Sequence, residues 1–105
     1  MGMDDFKNFD SEKANKLSQY SKIKNKISLL TAEEFTYYIN IIMSIKESCY
    51  NGENELLVGK DTQLHKCLTP NIREILKLKG FNVFEEYNRN VLCSPFPYLG
   101  YLIRW

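Results

Sequence analysis

The stretch from Thr31 to Gly52 constrains this chain more than any other. Thr31-Ala32-Glu33-Glu34 has the pattern of a capping box, in which the threonine hydroxyl and the Glu34 carboxylate satisfy free amides at a helix start. Asn51-Gly52 is placed to end that helix about five turns later. Phe35, Tyr38, Ile39, Ile41, Ile42, Met43, Ile45, Cys49 and Tyr50 share one side. Thr36, Asn40, Ser44, Glu47 and Ser48 take the other, and Lys46 intrudes on the apolar side. The apolar sector spans roughly 200°, against roughly 100° for an ordinary surface helix. Such a helix has to be covered from two directions, by this chain or by another.

With 105 residues, the chain has material for one core and no more. Residues 1–10 read as an N-terminal arm, with Phe6 and Phe9 as its anchors to the body or to a neighbour, and residues 11–105 as a single domain. Ser11 opens a helix with Glu12 in its first turn, where a carboxylate complements the helix dipole. Leu17, Tyr20, Ile23, Ile27 and Leu30 fall in one apolar sector of that helix, so it is the expected second cover for helix 31–50. Lys16 sits in the same sector, so the first turns are expected to project beyond the core or fray.

Glu55 to Val58 reads as a short strand ended by Gly59, with Asp61 as the cap of a helical turn holding Leu64 and Leu68. Thr69-Pro70 is a second helix start, an N-cap followed by proline at the first helical position. Ile72, Ile75, Leu76 and Leu78 form its apolar side, and Gly80 stops it. Phe81 to Tyr87 is a predicted strand. Asn88-Arg89-Asn90 turns the chain into a stiff Ser94-Pro95-Phe96-Pro97 loop, and Tyr98 to Trp105 is the last strand. Strand alternation puts Leu99, Tyr101, Ile103 and Trp105 on one face and Tyr98, Leu102 and Arg104 on the other. The expected fold is α+β: long capped helices packed on a small three-stranded sheet, in an element order resembling a winged helix.

The chemistry of catalysis is missing from the sequence. There is one histidine, with no nucleophile elbow, phosphate-cradling glycine loop or His-Glu-x-x-His. Gly59-Lys60-Asp61-Thr62 lacks the upstream glycine of a phosphate loop, since Asn54 stands there. Cys49, His65, Cys67 and Cys93 lack the paired spacing of a structural zinc site, so the cysteines read as small buried hydrophobes and His65 as a surface-turn residue. No enzyme activity, cofactor or metal is expected. No apolar run exceeds three residues, as at Ile41-Ile42-Met43, which is too short to cross a membrane. Lys13, Lys16, Lys22, Lys24 and Lys26 scatter around their helix rather than lining one face, and the formal net charge is only +1.

The C-terminal residues carry the expectation of a partner. Tyr98, Tyr101, Arg104 and Trp105 are of the types enriched at binding hot spots, and they fall on a strand expected to form a sheet edge open to a second chain. The pattern Gly80-Phe81-Asn82-Val83, a variable loop, and a closing Ile103-Arg104-Trp105 resembles that of small bacteriophage and large-virus α+β proteins. That resemblance implies a non-enzymatic virion component or small modulator of host machinery. Its partner is a protein or a second copy, and its place the cytoplasm of an infected host cell or the virion. The start Met1-Gly2-Met3-Asp4-Asp5 is not that of a signal peptide. The alternative follows from element order: a winged-helix DNA-binding protein, reading with Asn71, Arg73 and Lys77 on helix 69–79 and Arg89 in the wing.

Overall fold

A computed structural model describes residues 9–92 and 95–105. Phe6 of the expected arm, Cys93 and Ser94 lie outside the described residues. The fold is α+β, and its elements are α1 (Ser11–Ser28), α2 (Ala32–Tyr50), β1 (Glu55–Gly59), α3 (Gln63–Cys67), α4 (Pro70–Leu78), β2 (Asn82–Tyr87) and β3 (Tyr98–Arg104).

Each helix begins where side-chain chemistry dictates. Asp10 caps α1 by accepting from the Lys13 amide at 3.0 Å, and Thr69 caps α4 by accepting from the Ile72 amide at 3.3 Å. Thr62, not Asp61, caps α3, accepting from the His65 amide. The Thr62 hydroxyl also donates to the Gly59 carbonyl at 2.7 Å, which fixes the turn out of β1. At α2 half of the expected capping box forms. The Thr31 hydroxyl accepts from the Glu34 amide at 3.1 Å, but the Glu34 carboxylate accepts from the Thr69 hydroxyl at 2.9 Å. A tertiary partner has displaced the local one, and it ties the first turn of α2 to the cap of α4.

The core forms where α2, α3 and α4 meet one face of the sheet. Ile41, Ile72, Ile75, Leu76 and Ile103 are fully buried there, with Ile45, Val58, Cys67, Leu68 and Val83 around them. The side of α2 that faces this core carries Tyr38, Ile41, Ile45 and Ser48. The expected second cover is absent from the rest of the apolar sector. α1 packs on α4 instead of α2, held by a Lys26–Glu74 ion pair at 2.9 Å and a hydrogen bond from the Gln19 amide to the Leu78 carbonyl. Ile23 and Ile27 pack against the core from α1, yet no residue of that helix is fully buried. Its first turns project, as the position of Lys16 leads one to expect, and Lys16 pairs with Glu12 in solvent.

The sheet is antiparallel with order β1-β3-β2. The C-terminal strand is therefore central, not an edge, and its backbone is paired on both sides. The register passes from Glu86 opposite Gly100 to Tyr87 opposite Tyr98, which makes Leu99 an extra residue in β3. Gly100 adopts φ +140, and a Cβ there would lie 2.0 Å from the Val58 carbonyl oxygen. Only glycine fits that position. The bulge also breaks simple alternation, so Tyr98 and Tyr101 meet instead of facing apart: their ring centroids are 6.2 Å from one another.

Candidate functional site

The bulge in β3 and the cap of α3 bring together side chains from four elements of the chain. The Thr62 cap sets His65 beside the sheet, where its Nε2 shares a 2.7 Å hydrogen bond with the Tyr98 hydroxyl. The imidazole stacks on the Tyr101 ring at 5.3 Å and 22°. From α4, the Arg73 guanidinium carbon lies 4.9 Å from the centre of the same ring, and the buried Arg73 Nε has no hydrogen-bond partner among the described residues. Tyr87 closes the cluster, edge-on to Tyr98 at 5.6 Å, with its hydroxyl donating to Glu85. Burial is the main cause holding the Tyr98 phenol above its ordinary pKa of 10.0, and Tyr101, Glu85 and Tyr87 add to it. At neutral pH the phenol keeps its proton, and the cluster carries one fixed positive charge, that of Arg73.

Among the described residues, neither cysteine contacts this histidine. The buried Cys67 thiol donates to the Gln63 carbonyl at 3.6 Å. Cys49 is exposed, contrary to the expectation of a buried side chain, because α2 turns that side away from the core. Among the described residues no group of three or more His, Cys, Asp or Glu is arranged to hold a metal ion. No helix among them is long and apolar enough to cross a membrane.

The residues singled out as an interface separate into three places. Tyr98 and Tyr101 share the half-buried cluster. Arg104 lies on the other face of the sheet, paired with Glu55 at 2.9 Å and stacked over Phe84. Trp105 packs edge-on against Phe81 at 6.2 Å. The DNA-reading candidates are mostly engaged within the fold. Asn71 donates to the Glu34 carboxylate at 3.4 Å, Arg73 lies over Tyr101, and Arg89 lies 5.9 Å from the Phe96 ring centre. Glu74, on the exposed side of α4, is paired with Lys26, so α1 occupies part of the surface that would approach a groove. Lys77 alone of the four is exposed in the last turn of α4 with no contact of this kind to another described side chain.

Apolar surface stays open on two other faces. Phe35, Ile39 and Met43 form an exposed stripe at four-residue spacing on α2. On the outer face of the sheet, Leu57, Leu102 and Phe84 lie side by side across the three strands, with Leu57 and Phe84 exposed at either side of Leu102. Between α2 and α3 runs an open groove of about 720 Å³ lined by Asn40, Met43, Ser44, Glu47, Leu64 and Cys67, among others. Sequence reasoning placed the stripe on a face that needs cover, but missed His65 and Tyr87. Thr62 three residues before His65 was the available signal that the histidine lies in a helix; its aromatic partners depend on the bulge. No protein-family model, curated protein or solved structure gives a significant match to the chain.

Proposed function

We propose that this chain is a non-enzymatic protein-binding module, carried by a phage or large virus as a virion component or a small modulator of host machinery. The observation that carries the binding reading is the exposed stripe of Phe35, Ile39 and Met43 on a helix whose opposite flank forms the core. Contiguous apolar side chains left in solvent on a small domain mark an interaction surface. The viral assignment is supported by the Gly80-Phe81-Asn82-Val83 and Ile103-Arg104-Trp105 pattern. The His65–Tyr98–Tyr101 cluster reads as a rivet between α3 and the sheet, since its hydrogen bond and ring contacts join His65 of α3 to Tyr98 and Tyr101 of β3.

The winged-helix reading is favoured by one observation, the order from α2 to β3 with the last strand central in the sheet. Against it stand the engagement of Asn71 and Arg73 and the position of α1 on α4. Fold order is a weak guide to function, and side chains decide between the two. The test is the native mass of the chain purified from its source after nuclease treatment. A protein-only assembly heavier than 12.4 kDa is expected. A chain recovered only at 12.4 kDa, or only with protected nucleic acid, refutes the proposal.

A further inference from the structure

We infer that the open edge of β1 pairs antiparallel with β1 of a second copy of this chain, about a twofold axis at Leu57, so that the two sheets join into one. The inference goes beyond the protein-binding reading, because it concerns the sheet edge and not the α2 stripe.

The ladder with β3 fixes which backbone groups of β1 are left over. The Asn54 carbonyl accepts from the Trp105 amide at 3.1 Å, and the Lys60 amide donates to the Leu99 carbonyl at 3.0 Å. In an antiparallel ladder every second residue faces the partner strand, so Leu56 and Val58 also turn their amides and carbonyls toward β3. Glu55, Leu57 and Gly59 turn theirs to the open edge. The Gly59 carbonyl is taken by Thr62. Among the described residues none supplies a hydrogen-bond partner for the Glu55 and Leu57 amides and carbonyls. Main-chain groups left in this row match the backbone of an added strand.

The side chains of β1 make its own copy the strand that fits. With the axis at Leu57, that residue exchanges amide and carbonyl with its equivalent, and at each end the Gly59 amide meets the Glu55 carbonyl of the other chain. Leu57, 50% exposed, then lies against Leu57 of the second copy, and the outer-face row of Phe84, Leu102 and Leu57 runs on into the same row reversed. Glu55 falls opposite Gly59, which has no side chain to crowd it, and the Glu55 charge is already matched by Arg104. A register moved by two residues sets Leu57 against Glu55 or Gly59 and loses the apolar contact. No proline, lysine or bulge guards residues 55–59, and a hollow of about 440 Å³ lined by Asn54, Glu55, Leu57 and Leu102, among others, leaves the strand open on its outer side. The opposite edge, β2, is guarded: Glu85 and Glu86 lie within it and disfavour a like strand. Pairing through β1 alone closes at two chains, the symmetry of most homodimers.

Sedimentation and amide hydrogen exchange of the whole chain test the inference. A contact of one strand lies at the small, weak end of protein interfaces, so the wild type is expected to pass from 12.4 kDa to twice that mass between roughly 10 μM and 1 mM. Over the same range the Leu57 amide should become protected from exchange. Leu57→Lys changes an exposed side chain, so circular dichroism should show it folded. It sets two like charges across the axis in place of an apolar pair and is expected to dimerise at least about 10-fold more weakly. Phe84→Gln alters the same face away from the axis and is expected to dimerise like wild type. Edge pairing is overturned by a wild-type monomer throughout that range, or by a Leu57 amide whose exchange does not change with concentration. It is overturned equally by a folded Leu57→Lys that dimerises like wild type, or by a Phe84→Gln loss as large as that of Leu57→Lys, which would mean that the sheets meet face to face. The α2 stripe lies elsewhere on the molecule, so each of these results leaves the protein-binding proposal to its own native-mass test.

Discussion

Replacing Gly100 by alanine attacks the centre of the sheet. The new Cβ would sit 2.0 Å from the Val58 carbonyl oxygen and 3.1 Å from the Gly59 Cα, both backbone atoms of β1. Ordinary contact distance requires a shift of more than 1 Å, so β1 must leave its register opposite β3. A φ of +140 adds about 1–3 kcal/mol of backbone strain for any residue with a Cβ. Loss of one or two ladder hydrogen bonds near Gly59 and Lys60 adds about 1 kcal/mol each. The sum is about 2–5 kcal/mol, a large part of the roughly 5–15 kcal/mol that holds a domain of this size together. Urea denaturation followed by circular dichroism should therefore show a midpoint lower by about 1.3–3.3 M, at a slope of about 1.5 kcal/mol/M. Gly52 is the control. Its φ is +79, but a Cβ there meets nothing within 4 Å, so Gly52→Ala should cost only about 1 kcal/mol. Equal midpoints for the two variants would refute both the bulge and the close approach of β1 to β3.

Two further predictions rest on single side chains. Glu34→Ala removes the acceptor of the Thr69 hydroxyl and of Asn71 and should cost about 1–2 kcal/mol in the same assay; a change under about 0.3 kcal/mol would show that this link between α2 and α4 contributes nothing to stability. The Tyr98 pKa is raised by burial above the unfolded value of 10.0, so its contribution to stability is fully present below pH 10 and lost as pH rises through the folded value. Tyrosinate absorbance of wild type and Tyr98→Phe should accordingly differ only above pH 10, and a difference at or below that pH contradicts the buried position.

The helices were legible because their signals are local. Thr31 and Thr69 each cap where a short polar side chain precedes an apolar period, and the Ile72, Ile75, Leu76 face of α4 is buried as its spacing requires. What the sequence hid depends on partners distant in the chain. Glu34 was readable as a capping-box residue but takes Thr69 as its partner, 35 residues away. The apolar sector of α2 was readable in width, yet not which half the sheet would cover or that α1 would choose α4. Alternation separated Tyr98 from Tyr101, because one extra residue at Leu99 leaves no mark in a run of apolar side chains. Placement of β3 between β1 and β2 is a matter of pairing, and pairing across 40 residues has no local signature.

The central claim is that this molecule binds through its open apolar surface and not through α4, whose Asn71, Arg73 and Glu74 are engaged by other parts of the chain and which leaves Lys77 alone of the candidates free of such a contact to a described side chain. A fluorescence-anisotropy titration with labelled duplex DNA, from roughly 50 to 200 mM salt, tests it most directly, because phosphate contacts give a steep salt dependence. The account predicts no binding at micromolar protein at any salt concentration in that range. Binding that weakens steeply with salt, and that Arg73→Ala or Lys77→Ala reduces, would contradict it.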